Sequence, residues 1–578
     1  MTSKVTATFN AVDDTPYDVP VPVVYGRVQI AAIDIQHEDQ GGATKVLAAF
    51  CGGTVKDISY LRANQTAIRD FTLHLGTVGA SKTVDPRFPQ SYSYNLVAYA
   101  GCTIPSEVTT VDAAPEITAV IEGKGVRTFG PGGAFDRWGW SDNPIWCTRD
   151  FMCLSPAQGG MGIPQSWMDD ATNYTEAVYC DELITDATND QKIYKPPQVP
   201  AAIAYKRYRS SGVAGGDPGI DGPYDDYEIG VDDDTSRTPV AVQVKRFTMN
   251  VAIAQQEKAI DILYKKLLPS FRGYITFSKD GKIQIRVERP VPNTTVSSAS
   301  AAGVNEIRCA SPSQFSVGDN VLASPLTASA EVLRVSAVLS DRVRFAGLTS
   351  RAHAAGDQLL RVAMAFDDSN IVGGFSYPLC DRQDSTNRIT IKYVDAPAGF
   401  EARELHVNDY EHQASVHRVN NEDLDGSAID SYFQAYRVGE WKRAKIRDLG
   451  RFCEFNADIK ATLLEIGDVV AVSAVETGLQ AVPFRVIELS FNENDEVTVT
   501  GQLYSIGVYD DVAPQTTVNV PTIFSAPPAQ GIEAPGDIQP IGDVPFLLTK
   551  TEDGINASNA IEYDPPAAFG SFTGVTAH

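Results

Sequence analysis

The sequence predicts a mainly β, multidomain protein of small β-barrels or sandwiches, with a minority of helices and an α+β middle region. Three observations lead there. Apolar residues alternate with period two over many short runs bounded by Gly, Pro, Asn or Asp. Turn formers are abundant, with 45 Gly and 34 Pro among 578 residues. At ~150 residues per domain, the length corresponds to about four domains, enough to bury cores without disulfide or metal staples.

Tyr94–Tyr99, Glu116–Ile121, Arg388–Val394 and Glu496–Thr500 read as strands, short and rich in β-branched or aromatic side chains. A helix is expected from Asp169 or Asp170 to about Ile184, with Tyr174, Ala177 and Val178 inward and the aspartates at its positive end. From Gln255 onward, Ile260, Leu263, Tyr264 and Leu267 recur at helical spacing, and Pro269 stops the helix. Asp280-Gly281 then predicts a type I′ hairpin joining 274–277 to 282–287, with Ile275, Phe277, Ile283 and Ile285 on the covered face. An internal echo follows. Val317-Gly318-Asp319, Arg334-Val335 and Asp341-Arg342-Val343 are matched by Ile466-Gly467-Asp468, Arg485-Val486 and Asp495-Glu496-Val497. Both sets read as turn, strand, strand, turn, strand, which suggests two β units sharing a construction rule.

Composition shifts divide the chain. Residues 1–50 form an N-terminal docking segment, 51–130 a first β-barrel, and 131–293 a middle α+β domain carrying an acidic Gly/Pro-rich loop at 210–237. Residues 294–362 are an inserted small β-barrel, 363–511 the second β domains, and 512–578 a Pro-rich linker or tail of extended character.

The balance of 48 basic against 73 acidic residues, net −25, disfavours wrapping by nucleic acid, because phosphate needs the opposite sign. No apolar run approaches the ~18 residues of a membrane span, so stable membrane insertion is not expected, and no secretory leader is evident at Met1. The eight cysteines (51, 102, 147, 153, 180, 309, 380 and 453) form no framework and read as reduced, buried thiols of a protein made in a cytosol.

Chemistry-bearing motifs are scarce. Phosphate-loop, nucleophile-elbow and zincin patterns are missing. Gly159-Gly160-Met161-Gly162 reads as a turn, and Cys147 and Cys153 sit among core residues at a spacing unusual for zinc. His412 and His417 read as solvated. Asp225-Asp226 and Asp232–Asp234 read as a solvated acidic loop, and Lys206-Arg207-Tyr208-Arg209 as a solvated or partner-facing strand. Accordingly no catalytic, cofactor-binding or metal-ligating residue is nominated, no cofactor is expected, and the chain reads as a non-enzyme.

Particular segments then resemble a known family. Val19–Val28, with its Pro-Val-Val-Tyr-Gly core, is similar to the start of long-tailed bacteriophage tail tip proteins. Gly139–Ile145, Phe151–Leu154, Gly162-Ile163-Pro164 and Val178–Glu182 are similar to their central segment. Val251–Val287, Asn387–Tyr393, Phe433–Arg437 and Leu464–Val470 follow in the family's order. The chain thus resembles the lambda-type tail tip (baseplate hub) J family. The resemblance implies a structural virion protein at the distal tail tip: a homotrimer whose paired β domains continue the hexameric tail tube and adapt it to threefold tip or fibre proteins. It implies contacts with tail tube and distal tail proteins, with central or side fibre proteins through the Pro-rich C-terminus, and with DNA only in transit through the lumen. Host attachment through a separate fibre, genome ejection, and closure or gating of the DNA conduit follow as expectations. The alternative is a tail-associated carbohydrate- or peptidoglycan-degrading enzyme.

Overall fold

A computed structural model of the chain describes residues 20–511 apart from 40–42, 65, 78–83, 90–93, 106–115, 186–192, 195–238, 241–242, 254–256, 379–384, 476 and 493–495, together with four short strands between 538 and 563. The acidic loop, the Lys206–Arg209 run and Cys380 lie outside the described residues. Contacts divide the chain into Met1–Ala513 and Pro514–His578. In the second unit Ile538–Pro540 pairs with Ile561–Tyr563 and Leu548–Thr551 with Gly554–Ala557, both antiparallel, so the Pro-rich segment is not uniformly extended.

The N-terminal part of the first unit packs two sheets over one core. One sheet runs Phe135–Trp140, Ile117–Phe129, Val55–Ala63, Thr66–Ala67, with Arg27–Ala31 also on Ile117–Phe129. The other runs Ile33–Asp39, Ala43–Gly52, Val97–Pro105, Asp70–Leu75. Val46, Phe50, Ile58, Leu61, Ile104 and Ile121 meet between them, as alternation along each strand dictates. Arg27–Ala31, Ile33–Asp39 and Ala43–Gly52 are strands of these sheets, so the boundary drawn at residue 50 falls inside one of their strands.

The central part gathers helices and sheet. Helix Pro144–Cys153 starts at Asn143, whose side chain accepts from the Ile145 amide, with Pro144 in the first turn where no amide is needed. Helix Asp170–Asp181 is capped by Asp169, which accepts from the Thr172 amide. Of the residues expected inward, Ala177 is buried and Tyr174 packs against the core. Val178 is exposed, while Asn173 and Glu176 turn inward, and their oxygens accept the backbone amides of Ile285 and Val287 at 3.0 and 3.3 Å. A strand edge thus satisfies polar side chains that an apolar pattern could not place inside.

The 259–271 segment also departs from expectation. It winds as a helical turn at Ala259–Asp261, a π-helix Ile262–Leu267 and a 3₁₀ turn Leu268–Phe271. The wider π turn rotates Ile262, Leu263, Leu267 and Leu268 into the core and leaves Ile260 and Tyr264 exposed. Pro269 does not stop the chain; it occupies the first turn of the 3₁₀ piece. In the following hairpin Gly273–Phe277 pairs with Ile283–Val287, but Gly281 alone carries a positive φ (74°) and Ser278 N donates to Lys282 O. The connection is therefore a longer loop with a left-handed glycine rather than type I′. Ile285 and Ile283 are buried and Ile275 partly so, whereas Phe277 is exposed. The three-stranded sheet Glu401–Asn408, Arg388–Asp395, Asn421–Gly426 and the helix Tyr432–Asp448 join this core through Ile389, Ile391, Tyr393, Val407 and Val438. Residues 388–448 therefore pack with the middle region, across the boundary drawn at 363.

Two six-stranded sheets complete the unit, and the internal echo reaches into their hydrogen bonds. Asn320–Ala323, Glu331–Val338, Arg342–Phe345 and Glu306–Arg308 neighbour one another in that order; Val469–Ala474, Leu479–Phe491, Val497–Leu503 and Phe452–Ala457 repeat it. Gly318 N donates to Val335 O and Val335 N to Asp319 O, both at 2.9 Å; Gly467 and Val486, Val486 and Asp468 do the same at 2.8 Å. Both glycines have φ of 97°, and both second strands bulge just past the bonded valine. The strands beside the first of each set differ: Gln358–Val362 lies antiparallel to Asn320–Ala323, Met364–Phe366 parallel to Val469–Ala474.

Candidate functional site

The segments that carried the resemblance are hundreds of residues apart and meet in the central core. Val23–Tyr25 pairs with Val251–Ile253, and Tyr25, Ile145, Cys180, Met249, Ile285, Ile389 and Tyr436 share one apolar cluster. The turn at Gly26 explains Tyr-Gly-Arg physically. Its φ is +68°, and a Cβ there would lie 2.1 Å from Met249 O and 2.2 Å from Asn250 Oδ1. The block around Leu464–Val470 lies elsewhere, in the cores of the last sheet.

A cavity of about 260 Å³ opens where these segments converge, lined among others by Arg27, Trp140, Asp142, Lys245, Asp430 and Arg437. Lys245 Nζ holds Asp142 at 2.6 Å and Asp181 at 3.1 Å. Gln434 Nε2 donates to Thr248 O and Ser270 O, tying the long helix to its neighbours. Asp430 has only neutral partners, Asn250 and Thr248. Burial, and after it the nearby Asp142 charge, push its carboxyl up to about 6.

Beside the cavity, the buried Arg272 and Arg437 and the half-buried Arg246 converge on one carboxylate. Asp511 Oδ1 accepts from Arg272 Nη2 at 3.0 Å and Arg437 Nη1 at 3.3 Å, and Oδ2 accepts from Arg246. Burial alone would raise the Asp511 carboxyl; the charges of Arg272, Arg437 and Arg246 outweigh it and hold the group below the usual range. Burial, with the two neighbouring arginines, brings Arg437 down to about 10. Aromatic faces flank the guanidinium groups: Arg272 lies 5.5 Å from Phe247 and 5.6 Å from Trp441, Arg437 4.7 Å from Phe433, and Arg246 4.5 Å from Tyr179. A second network anchors the same stretch. Tyr509 Oη donates to Glu288 at 2.9 Å, Lys445 pairs with Glu288 at 2.7 Å, and Arg485 lies over Tyr504 and Tyr509. Residues 504–511 are thereby bound to hairpin and helix. This arrangement holds chain segments in place. Sequence reasoning missed every one of these charged residues; the available signal was Arg437 inside the apolar run Phe433–Gly439, since a buried guanidinium demands an anion.

One constellation resembles a nucleophilic triad. Ser324 Oγ lies 2.7 Å from His353 Nδ1, and His353 Nε2 lies 2.8 Å from Glu331 Oε1. Ser324 and His353 are both buried, and the hydroxyl is also 2.5 Å from Asp357 Oδ2. It fixes a turn in which Ser324 and Leu326 have positive φ. The remaining sequence candidates separate. Gly159 and Gly162 take positive φ in a turn, as read. His412 lies in helix Tyr410–Val416 and His417 is its left-handed cap; His412 Nε2 is buried without a hydrogen-bond partner, so the solvated reading fails for it. The seven described cysteines are free thiols, Cys153 half-buried and the others buried. Burial raises Cys51, Cys102 and Cys453 to about 12. Among the described residues, no His, Cys, Asp and Glu group is placed to hold a metal, and no helix is long and apolar enough to cross a membrane.

No protein-family model matches the chain, and no curated protein matches its sequence. Among solved structures, it is similar to a chain of the virion of a native gene transfer agent particle (TM-score 0.48, 11% identity, covering 89% of this chain and 90% of that one). It is also similar to the 43 kDa tail protein of prophage MuSo2 from Shewanella oneidensis (TM-score 0.25, 10% identity, 84% and 96%). A third likeness is to the tail protein from Neisseria meningitidis MC58 (TM-score 0.23, 11% identity, 45% and 58%).

Proposed function

We infer that this chain is a structural protein of a phage tail, and that it forms the trimeric hub at the distal tip, adapting the hexameric tube to threefold tip or fibre proteins and closing or gating the DNA conduit. The carrying observation is convergence. Sequence blocks from Val23 to Arg437, each similar to a tail tip protein segment, share one apolar core, and several of them line the cavity beside it. Independent coincidences would have no reason to meet in space. Beside them Asp511 is clamped by three arginines, as a structural tie would be. A net charge of −25 suits a wall past which DNA must slide without sticking.

The test is localisation on purified tails with a gold-labelled antibody against this chain. Label at one end of the tail, with a threefold average of the tip, is the expected result. Label along the whole tube, or none on particles, would overturn the reading.

A further inference from the structure

One turn in the six-stranded sheet of residues 293–362 is held by polar groups whose protons can be counted. Ser324 and Leu326 take left-handed backbone, φ 48° and 60°, although neither is glycine, so the turn stores strain that its surroundings must offset. Leu326 is 52% exposed, and apolar packing of its side chain does not offset it. The Ser324 hydroxyl does the holding. It is buried with His353 and lies 2.5 Å from Asp357 Oδ2 and 2.7 Å from His353 Nδ1. The other ring nitrogen, His353 Nε2, lies 2.8 Å from Glu331 Oε1. Both carboxylates accept elsewhere too: Glu331 takes the Ser350 amide and hydroxyl and the Arg351 amide, and Asp357 Oδ2 takes the Ala354 amide. Burial would raise the Glu331 carboxyl, but these bonds and the one from His353 outweigh it and hold the group below its usual range.

The three contacts, Asp357 to Ser324, Ser324 to His353 and His353 to Glu331, need one proton each. The hydroxyl supplies one and a neutral imidazole one more. With Nε2 protonated, Nδ1 takes the hydroxyl proton, and the Ser324 oxygen then faces the Asp357 carboxylate with lone pairs on both sides. With Nδ1 protonated, Nε2 faces Glu331 in the same way. An imidazolium, donating from both nitrogens, satisfies all three, and imidazole is more basic than a carboxylate, so the third proton belongs on the ring. The same cluster joins several elements. His353 exchanges backbone hydrogen bonds with Ser300, Ser324 N donates to Gln358 O at 2.8 Å, and the Thr327 hydroxyl closes the turn on Ser324 O at 2.7 Å. The turn ends at Ala330, which is buried in one apolar cluster with Val469, Ala471 and Ala481 of the last six-stranded sheet, and Gln480 Nε2 donates to Ala330 O at 3.3 Å. The hydroxyl therefore stands at the seam between the two related sheets.

We propose that Ser324, His353, Glu331 and Asp357 form a proton-operated latch: with a proton on each ring nitrogen His353 holds the strained turn from Ser324 to Ala330 closed at this seam, and loss of one of those protons releases it. Among the described residues, the charged groups that face the ring are Glu331, at the start of Glu331–Val338, and Asp357, in the turn before Gln358–Val362. Arg351, on the ring's own segment, is turned away, its guanidinium donating to Ala328 O. The sign follows from the proton count. The closed form is the protonated one, both flanking carboxylates favour it, and rising pH opens the turn. The latch does not depend on the chain's being a tail tip hub.

The experiment follows two signals in the full chain as pH is raised from roughly 6 to roughly 9, across the range where histidines titrate. Long-range proton–nitrogen correlation on isotope-labelled histidine reads the ring protons, with His353 assigned by the signals missing from His353→Gln. Hydrogen exchange read by mass spectrometry, corrected for intrinsic exchange, gives the protection of residues 324–330. Protection is expected to fall about 10-fold in step with loss of the ring proton, as one buried contact goes unsatisfied. Peptides over Arg342–Phe345, in the same sheet, should change less. His353→Gln, which cannot take up the charge, should show the lower protection at every pH. Full protection around a singly protonated ring overturns the latch, and so does protection that stays flat while the ring titrates. If His353 keeps both protons throughout, protection in His353→Gln as high as in the natural chain overturns it. Circular dichroism establishes that the variant folds; if it does not, Ser324→Ala, which cuts the ring from Asp357, takes its place in that comparison.

Discussion

Replacing Asp511 by Ala removes the carboxylate that, among the described residues, Arg246, Arg272 and Arg437 share. Their side chains are 13%, 1% and 3% exposed, so water cannot take the place of the lost oxygens for two of the three. Breaking one side of a buried ion pair costs about 3–5 kcal/mol. Here Arg246 keeps Glu182 at 2.9 Å and Arg272 keeps Arg437 O at 3.0 Å, which places the expected loss near the lower end, about 3 kcal/mol at pH 7. Asp511→Asn, which retains an acceptor oxygen without the charge, should lose about 2 kcal/mol. The pH dependence has a definite sign. Because the folded carboxyl is held below its unfolded value, its contribution is present above the unfolded value and disappears as pH falls through the folded one. The gap between natural chain and Asp511→Asn should therefore close in acid. Amide hydrogen exchange in the helix Tyr432–Asp448, which carries Arg437, reads the local opening free energy directly. A loss under about 1 kcal/mol at pH 7, or a gap unchanged in acid, would refute the idea that this carboxylate clamps the segment.

Two further outcomes are expected. Gly467→Ala and Gly318→Ala impose the same left-handed strain, φ 97° in each, but a Cβ at 467 would lie 1.9 Å from Tyr274 Oη whereas at 318 nothing stands within 4 Å. Gly318→Ala should cost about 1–2 kcal/mol and Gly467→Ala distinctly more in thermal or urea unfolding; equal costs would mean the Tyr274 contact carries no weight. Asp430→Asn should stabilise the chain at pH 7 by roughly 1–3 kcal/mol, because the buried carboxyl, raised to about 6, costs folded stability when ionised. The natural chain should accordingly gain on the variant as pH falls from 6 toward 4, and parallel stability curves over that window would contradict the assignment.

The β character was legible because alternation reports a half-buried sheet directly: Arg388–Asp395 and Val497–Leu503 fall where period two put them. The Gly-Asp echo was legible for a related reason, since a positive φ before a strand leaves glycine in the text. What the pattern hid were side chains whose placement depends on a partner far along the chain. Asn173 and Glu176 point inward only because strand amides 112 and 111 residues away need acceptors. Ile260 and Tyr264 point outward because one π turn changes the period from the 3.6 that a helical reading assumes. The Asp511 clamp was invisible for the same cause: its partners lie 265, 239 and 74 residues upstream, and no local pattern links them.

The shared plan of the two six-stranded sheets gives the emerging chain a sorting problem. Strands in the same order, opened by like Gly-Asp turns and bulged at like positions, recur about 150 residues apart, so a half-made sheet of one kind can template strands of the other, a failure typical of repeated units. What distinguishes the right partner is the strand beside the first of each set, antiparallel in one sheet and parallel in the other. Order of synthesis helps, because residues 293–362 can close their sheet before Val469 has left the ribosome. Refolding from denaturant forfeits that head start, and mispaired, aggregation-prone species should accumulate there and not during translation.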